Sequence, residues 1–309
     1  MVRKVICVGV SICMIMGLTG CDLLGSSNNG STVNVQSEIT QSPQVTEQAS
    51  VQENTTTEEP SILKFVDVYG NEYETEIISE VPKHNYDYSF LKNDSNFYSY
   101  NDTNSGVTAK IGIDVSKYQG DIDWNKVKED GIEFVIIRLG FRGYGQEGSL
   151  NLDARFKEYV EGATNAGIMV GVYFFSQAIT TEEAVEEAEY VLDNIKEYNV
   201  TGPVVFDTEE IKNVDDARSF GVSGEVFTDC CVAFCDKIKE AGYTPMIYFN
   251  MLWQAFTLDI TRLTVYEKWY ADYEPQPQTP YDFSIWQYTE TGKVNGIEGN
   301  VDINLWFQR

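Results

Sequence analysis

The chain is poor in histidine, in basic residues and in long apolar runs. One histidine, His84, serves all 309 residues. It falls outside the stretch where acids and aromatics gather, so a histidine base or a histidine-built metal centre is not expected there, and His84 reads as a surface residue. Lysine and arginine number 22 against 48 aspartates and glutamates, a formal charge of −26. That excess excludes a surface built for the phosphates of nucleic acid and repels anionic lipid and anionic polymers alike. The longest apolar run, Val5 to Leu18, is shorter than the roughly 20 residues that span a bilayer. Cysteine is present six times but in neither a zinc spacing nor a disulfide framework. Cys230, Cys231 and Cys235 share one helical-looking segment, FTDCCVAFCDKI, where thiols are poorly placed to bridge each other and read as small core residues.

What the chain does have begins with a leader. Arg3 and Lys4 precede the apolar run, which ends in Leu18-Thr19-Gly20-Cys21. This resembles the bacterial lipobox, so residues 1–20 read as a lipoprotein signal peptide and Cys21 as a lipidated N-terminus that anchors the chain to a membrane at the bacterial cell surface or envelope. Loss of Arg3 and Lys4 takes the formal charge from −26 to −28, so attachment has to come from lipid and not from a basic patch. Residues 21–60 are polar after the first few positions and without an aromatic, the composition of a disordered tether. Such a segment reaches on the order of 35 Å as a coil and about 130 Å when stretched.

Residues 61–108 contain ILKFVDVYGNEYETEIISEV, two β-prone runs around Tyr69-Gly70-Asn71, and read as a small β-rich appendage. From 109 to 309 a different rhythm takes over. Gly131, Gly167, Gly202 and Gly242, spaced by 36, 35 and 40 residues, each precede an apolar run. Amphipathic segments lie between them; in TTEEAVEEAEYVLDNIKEY, Thr180 and Glu183 fit a capping box, and Val185, Ala188, Val191, Leu192 and Ile195 form one face. Helix, glycine, strand at this period predicts parallel βα units. IGIDVS, KWYAD and FSIWQY bring the strands to seven, with an eighth near Asn300-Val301-Asp302. The economical fold is α/β, a distorted TIM-like barrel.

In such a barrel the chemistry gathers where strands end at their C-terminal side. Here those ends carry acids: Asp114 after IGI, Asp207 and Glu209 in VVFDTE, Asp272 after KWYA, and Asp302 after Val301. Alternation along a strand puts Asp207 and Glu209 on one face. Two close carboxylates cannot both ionise normally, and the one pushed upward becomes a general acid, as glycoside cleavage requires. Tyr118, Phe141, Tyr144, Tyr173, Phe175, Tyr248, Trp286 and Tyr288 fall at or beyond strand ends, where sugar rings could stack; aromatics so placed can equally be core, Phe141 and Phe175 above all. A divalent cation is the other use for clustered acids, but no histidine or cysteine joins them.

The segments GIDVSKYQGDIDWNKVK, GVYFFS, VVFDTE, YTPMIYFN, SIWQY and GNVDIN occur in this order. The order resembles glycoside hydrolase family 25, the Chalaropsis-type muramidases, over about 110 to 309. The resemblance implies a distorted β/α barrel with an acidic groove that hydrolyses the β-1,4 bond between N-acetylmuramic acid and N-acetylglucosamine in peptidoglycan. Carried over, Glu209 is the general acid, Asp207 its partner, and Asp114 and Asp302 flanking groove acids. Tyr118, Tyr173, Tyr248, Asp272 and Trp286 are expected to bind the glycan. No cofactor or metal is implied, and a monomer acting on glycan strands is expected. Two departures bear on subsites: Phe174 stands in GVYFFS where histidine is common, and Asp272 adds an acid to WYADY. The rival readings are a lipid-tethered module that binds peptidoglycan without cleaving it, and a chitinase-type hydrolase. The long acidic run that leads into the chitinase DxE is missing here, since Gly202-Pro203-Val204-Val205-Phe206 precedes Asp207.

Overall fold

A computed structural model describes residues 60–93, 96–209, 211 and 216–309. The signal segment, the tether and Cys21 lie outside these residues. Glu58–Arg309 form one compact unit with no division at residue 109.

The unit opens with a hairpin, β1 (Ile62–Val66) and β2 (Glu72–Glu76), paired antiparallel from Ile62 opposite Glu76 to Val66 opposite Glu72. Its turn is held by Asp67, whose Oδ1 accepts from the backbone of Tyr69 and Asn71, while Gly70 takes the positive φ of 80° that the reversal needs. A shorter pair, β3 (Leu91–Lys92) and β4 (Ser99–Tyr100), leads into the barrel.

Eight of the described strands close that barrel: β5 (Thr108–Val115), β6 (Phe134–Arg142), β8 (Met169–Phe175), β9 (Val204–Asp207), β10 (Pro245–Asn250), β11 (Glu267–Ala271), β12 (Ile285–Gly292) and β13 (Val301–Gln308). A short β7 (Leu150–Leu152) is paired to the end of β6. Strands β5 to β12 of the barrel run parallel, as the glycine rhythm predicts. The eighth strand is where the sequence expects it but reverses, antiparallel to both β12 and β5. Only residues 293–300 separate β12 from β13, too few for the crossover a parallel neighbour demands.

Four α-helices among the described residues pack outside: α1 (Trp124–Glu129), α2 (Phe156–Asn165), α3 (Thr181–Ile195) and α4 (Gly224–Glu240). Apolar residues thus fall into two layers. One joins strands to helices and contains Cys230, Cys231 and Cys235, all fully buried. The other fills the barrel with Phe134, Ile136, Val205, Met246, Tyr248, Trp269 and Ile285. Gly112 is required here, because a Cβ at that position would lie 2.3 Å from the Phe134 ring.

The buried face of α3 is Ala184, Glu187, Ala188, Val191 and Ile195; Val185 and Leu192 are only partly covered. Glu187 is tolerated because Arg142 meets it at 2.7 Å. Only half of the capping box forms. Glu183 N–H donates to Thr180 Oγ1, but the Glu183 carboxylate accepts from Ile179 N–H and pairs with Arg218.

The appendage packs directly on the barrel. Gln278, in the loop after β11, accepts from Val66 N–H at 2.8 Å and donates to Val66 O at 2.9 Å. Phe65 and Tyr73 stack at 5.4 Å, and both rings lie within about 6 Å of Phe256. His84 corrects the surface reading: it is half-buried at this seam, bonded to Thr279 O and packed against Tyr86, Tyr88 and Phe283. Burial holds its pKa below the usual value.

Candidate active site

Strand β9 delivers the two acids that the sequence singles out. Val204 to Asp207 are wholly buried, and Glu209, two residues beyond the strand, is half-exposed. Both acids line one cleft of about 260 Å³ together with Asp114, Asp302, Tyr118, Tyr173 and Arg138. Asp114 and Asp302 face each other across the β5–β13 ladder as direct partners.

Beneath these acids runs a chain of hydrogen bonds. Tyr248 and Tyr273 each donate their hydroxyl to Gln287 Oε1 at 3.0 Å. Gln287 Nε2 and Asn304 Nδ2 both donate to Asp114 Oδ2 at 2.9 Å. Asn304 Oδ1 in turn accepts from Trp269 Nε1 at 2.8 Å. Every amide is oriented by a second bond, so Asp114 is held rigidly.

Burial lifts Asp114, Asp207 and Asp302 above the ordinary carboxylate range. Asp302 is pushed to about 9 by burial and by Asp114 beside it, so it keeps its proton at neutral pH and donates it to Asp114. Asp207 is raised well above its usual value, first by burial, then by Glu209 and Asp114, with Arg138 opposing. Its side chain is in hydrogen-bond reach of Glu209, yet its Oδ1 is buried without a hydrogen-bond partner among the described residues. A buried carboxylate oxygen left this way is costly unless a ligand completes it.

Tyr118 stands at the rim, 74 % exposed. It is carried on the short turn after β5 that Ser116 caps. The Arg138 guanidinium lies 5.2 Å from its ring centroid and is itself fixed by Asp153 at 2.6 Å. Tyr173 lines the cleft wall. Two sequence expectations need correction, those for Trp286 and Tyr248. Trp286 is completely buried, donating Nε1–H to Asp272 O at 2.6 Å and packing near Tyr98, so it offers no face to a sugar. Tyr248 is floor and not a platform, its ring 4.7 Å from Trp269. Asp272 lies outside the cleft of the acids and lines the larger hollow beside it, its carboxylate bonded to Tyr270, Glu274 and Gln278 in the loop that holds the appendage. Phe174, the residue that raised a question about subsites, points the other way, its ring 6.0 Å from Tyr190 of α3.

Arg138, Gln287 and Asn304 join the site without being among the candidate residues that the sequence singles out. Each is a polar residue inside an apolar strand run, at the alternation step that faces the barrel interior, and that was the available signal.

Comparison with known proteins bears on this geometry. The family model described as glycosyl hydrolases family 25 matches residues 113–297. The chain is 28% identical over 196 residues to an autolytic lysozyme of Clostridium acetobutylicum, covering 62% of this chain and 54% of that protein. It is 30% identical over 203 residues to lysozyme M1 of Streptomyces globisporus, covering 62% and 66%. The chain therefore spans between about half and two thirds of the length of these relatives. The crystal structure of the bacterial lysozyme from Streptomyces coelicolor superposes with a TM-score of 0.54 at 27% identity, covering 64% of this chain and 91% of that one. Acids, barrel and sequence agree: the chain belongs to glycosyl hydrolases family 25.

Proposed function

We propose that the chain is a muramidase that hydrolyses the β-1,4 bond between N-acetylmuramic acid and N-acetylglucosamine in peptidoglycan. One observation carries the reading: Glu209 and the buried Asp207 share a cleft with a second pair of acids, and Asp207 Oδ1 has no partner among the described residues. In the resting site Asp207 holds the shared proton, since it is the more deeply buried acid. An acetamido N–H presented to Asp207 Oδ1 favours its ionised form, and the proton passes to Glu209. Glu209 protonates the glycosidic oxygen as the bond to the anomeric carbon breaks, while the substrate's acetamido oxygen attacks that carbon. The resulting oxazolinium ion is positively charged and is stabilised by the Asp207 carboxylate. Glu209, now ionised, takes a proton from water as it opens the ring, and the β configuration is retained. Asp302, protonated against Asp114, keeps that neighbouring pair at a single negative charge.

Digestion of purified peptidoglycan tests the reading. Reducing ends are expected to be muramic acid, with fresh product in the β configuration by NMR. Glucosamine ends, no new ends, or clean inversion would each defeat the corresponding part.

The leader supports a second element of the proposal: Cys21 carries the lipid, and the tether holds the enzyme beneath the wall at high local concentration. This favours remodelling of the cell's own layer. Cys21→Ser is expected to abolish incorporation of labelled palmitate; persistent labelling refutes Cys21 as the lipid site.

A further inference from the structure

The catalytic cleft is not the largest hollow in the molecule. A second cavity of about 1100 Å³ adjoins it, and Glu209 lines both. Its wall is partly foreign to the family match, which begins at residue 113. The β1–β2 turn, residues 66–70, closes one side. Phe220, Trp253 and Tyr273 also line it, and Phe256 lines it from its place against the hairpin.

The turn is built to stay there. Gln278 grips both backbone groups of Val66, and the Phe65, Tyr73 and Phe256 rings lock the hairpin to the segment after β10. Where apolar rings would ordinarily be covered, Tyr69 is 68 % exposed and Phe220 is 78 % exposed. Wide aromatic faces around a hollow lined by both polar and apolar groups suit the CH faces and hydroxyl edges of sugar rings. The volume accommodates a drug-sized disaccharide, whereas the catalytic cleft has room only for the groups around the reacting linkage. Charge selects among the parts of the substrate. Among the described residues the lining includes Asp67, Glu209, Asp272 and Glu274 and neither lysine nor arginine, which disfavours a peptide with several free carboxylates more than the glycan, whose N-acetylglucosamine rings are uncharged and whose muramic acids carry one carboxylate each.

We propose that this cavity is an extended glycan subsite, with the appended hairpin as its outer wall, seating the sugars that follow the scissile bond on the Glu209 side. The assignment rests on the muramidase reading for its substrate, but its test is binding and not turnover. The full chain carrying Glu209→Gln is titrated calorimetrically with glycan disaccharide, tetrasaccharide and hexasaccharide, each with and without its stem peptides. Affinity is expected to rise with length. Tyr69→Ala and Phe220→Ala, each checked for an unchanged thermal midpoint, are expected to weaken the longer fragments about tenfold and so collapse the long-to-short ratio. An unchanged ratio in both folded variants overturns the subsite, as does failure of every fragment to bind. A loss confined to peptide-bearing fragments overturns it too, by assigning the cavity to the peptide. Length-dependent binding in a protein whose wild type yields no muramic acid ends leaves the subsite standing and removes the muramidase reading.

Discussion

Glu209→Gln is expected to fold normally and to lose roughly 100-fold to 10,000-fold in kcat on peptidoglycan, the range that removal of general acid catalysis produces. The change is isosteric at a half-exposed position beyond the end of β9, so no cavity is opened and no strand pairing is disturbed. What disappears is the one proton that can reach the glycosidic oxygen. The amide also removes a negative charge from beside Asp207, the second-largest cause of its raised pKa after burial. Asp207 should then ionise more readily, which helps it receive an acetamido N–H. Binding is therefore expected to persist or tighten while turnover falls, a split visible in kcat against KM and in direct titration. Near-normal turnover by the folded variant would remove Glu209 from the role of acid.

The sequence displays the barrel because two periods are superimposed on it, alternation within strands and a glycine every thirty-five to forty residues. It displays Asp207 and Glu209 for the same reason, since alternation fixes their shared face. Alternation does not say which face is the interior, and this is where Trp286 misleads. Of two adjacent residues in β12, Gln287 points in and holds Asp114, while Trp286 points out toward Tyr98 of the appendage. An aromatic at a strand end attracts attention that its polar neighbour merits. Helix α3 shows a similar limit. Glu187 interrupts the apolar face, and only the position of Arg142, 45 residues away in sequence, makes that burial tolerable. The hairpin is legible from Tyr69-Gly70-Asn71, but its docking is not. The contact between Val66 and Gln278 joins residues 212 apart, and no local pattern encodes such a pairing.

Asp207→Asn is expected to separate stability from function, raising the first and lowering the second. Asp207 is fully buried, and its pKa in the folded chain stands well above its ordinary value of 3.8 because burial and the charges of Glu209 and Asp114 oppose ionisation. A carboxyl raised in this way stabilises the fold fully only below its unfolded pKa, near 4. That contribution is lost as pH rises toward and through the folded value, because the unfolded chain releases the proton and the folded chain does not. Asparagine keeps the shape, can donate an N–H to Glu209 and has no proton to lose. The thermal midpoint of the variant at pH 7 is therefore expected to exceed that of the wild type by a few degrees, at roughly 2–4 °C per kcal/mol for a domain of this size. Its decline between pH 4 and pH 8 should be shallower, with a residual slope from Asp302, whose pKa of about 9 has the same sign. Activity should move the opposite way, by about 100-fold to 1,000-fold, as expected when a preorganised charge facing a developing cation is neutralised. Sites that concentrate buried acids are destabilised by the arrangement that makes them reactive, and relief of the strain removes the chemistry with it. Thermal melts across pH, paired with reducing-end assays on the same preparations, measure both quantities. A folded variant with an unraised midpoint and undiminished turnover would show that Asp207 is neither under electrostatic stress nor engaged with the substrate.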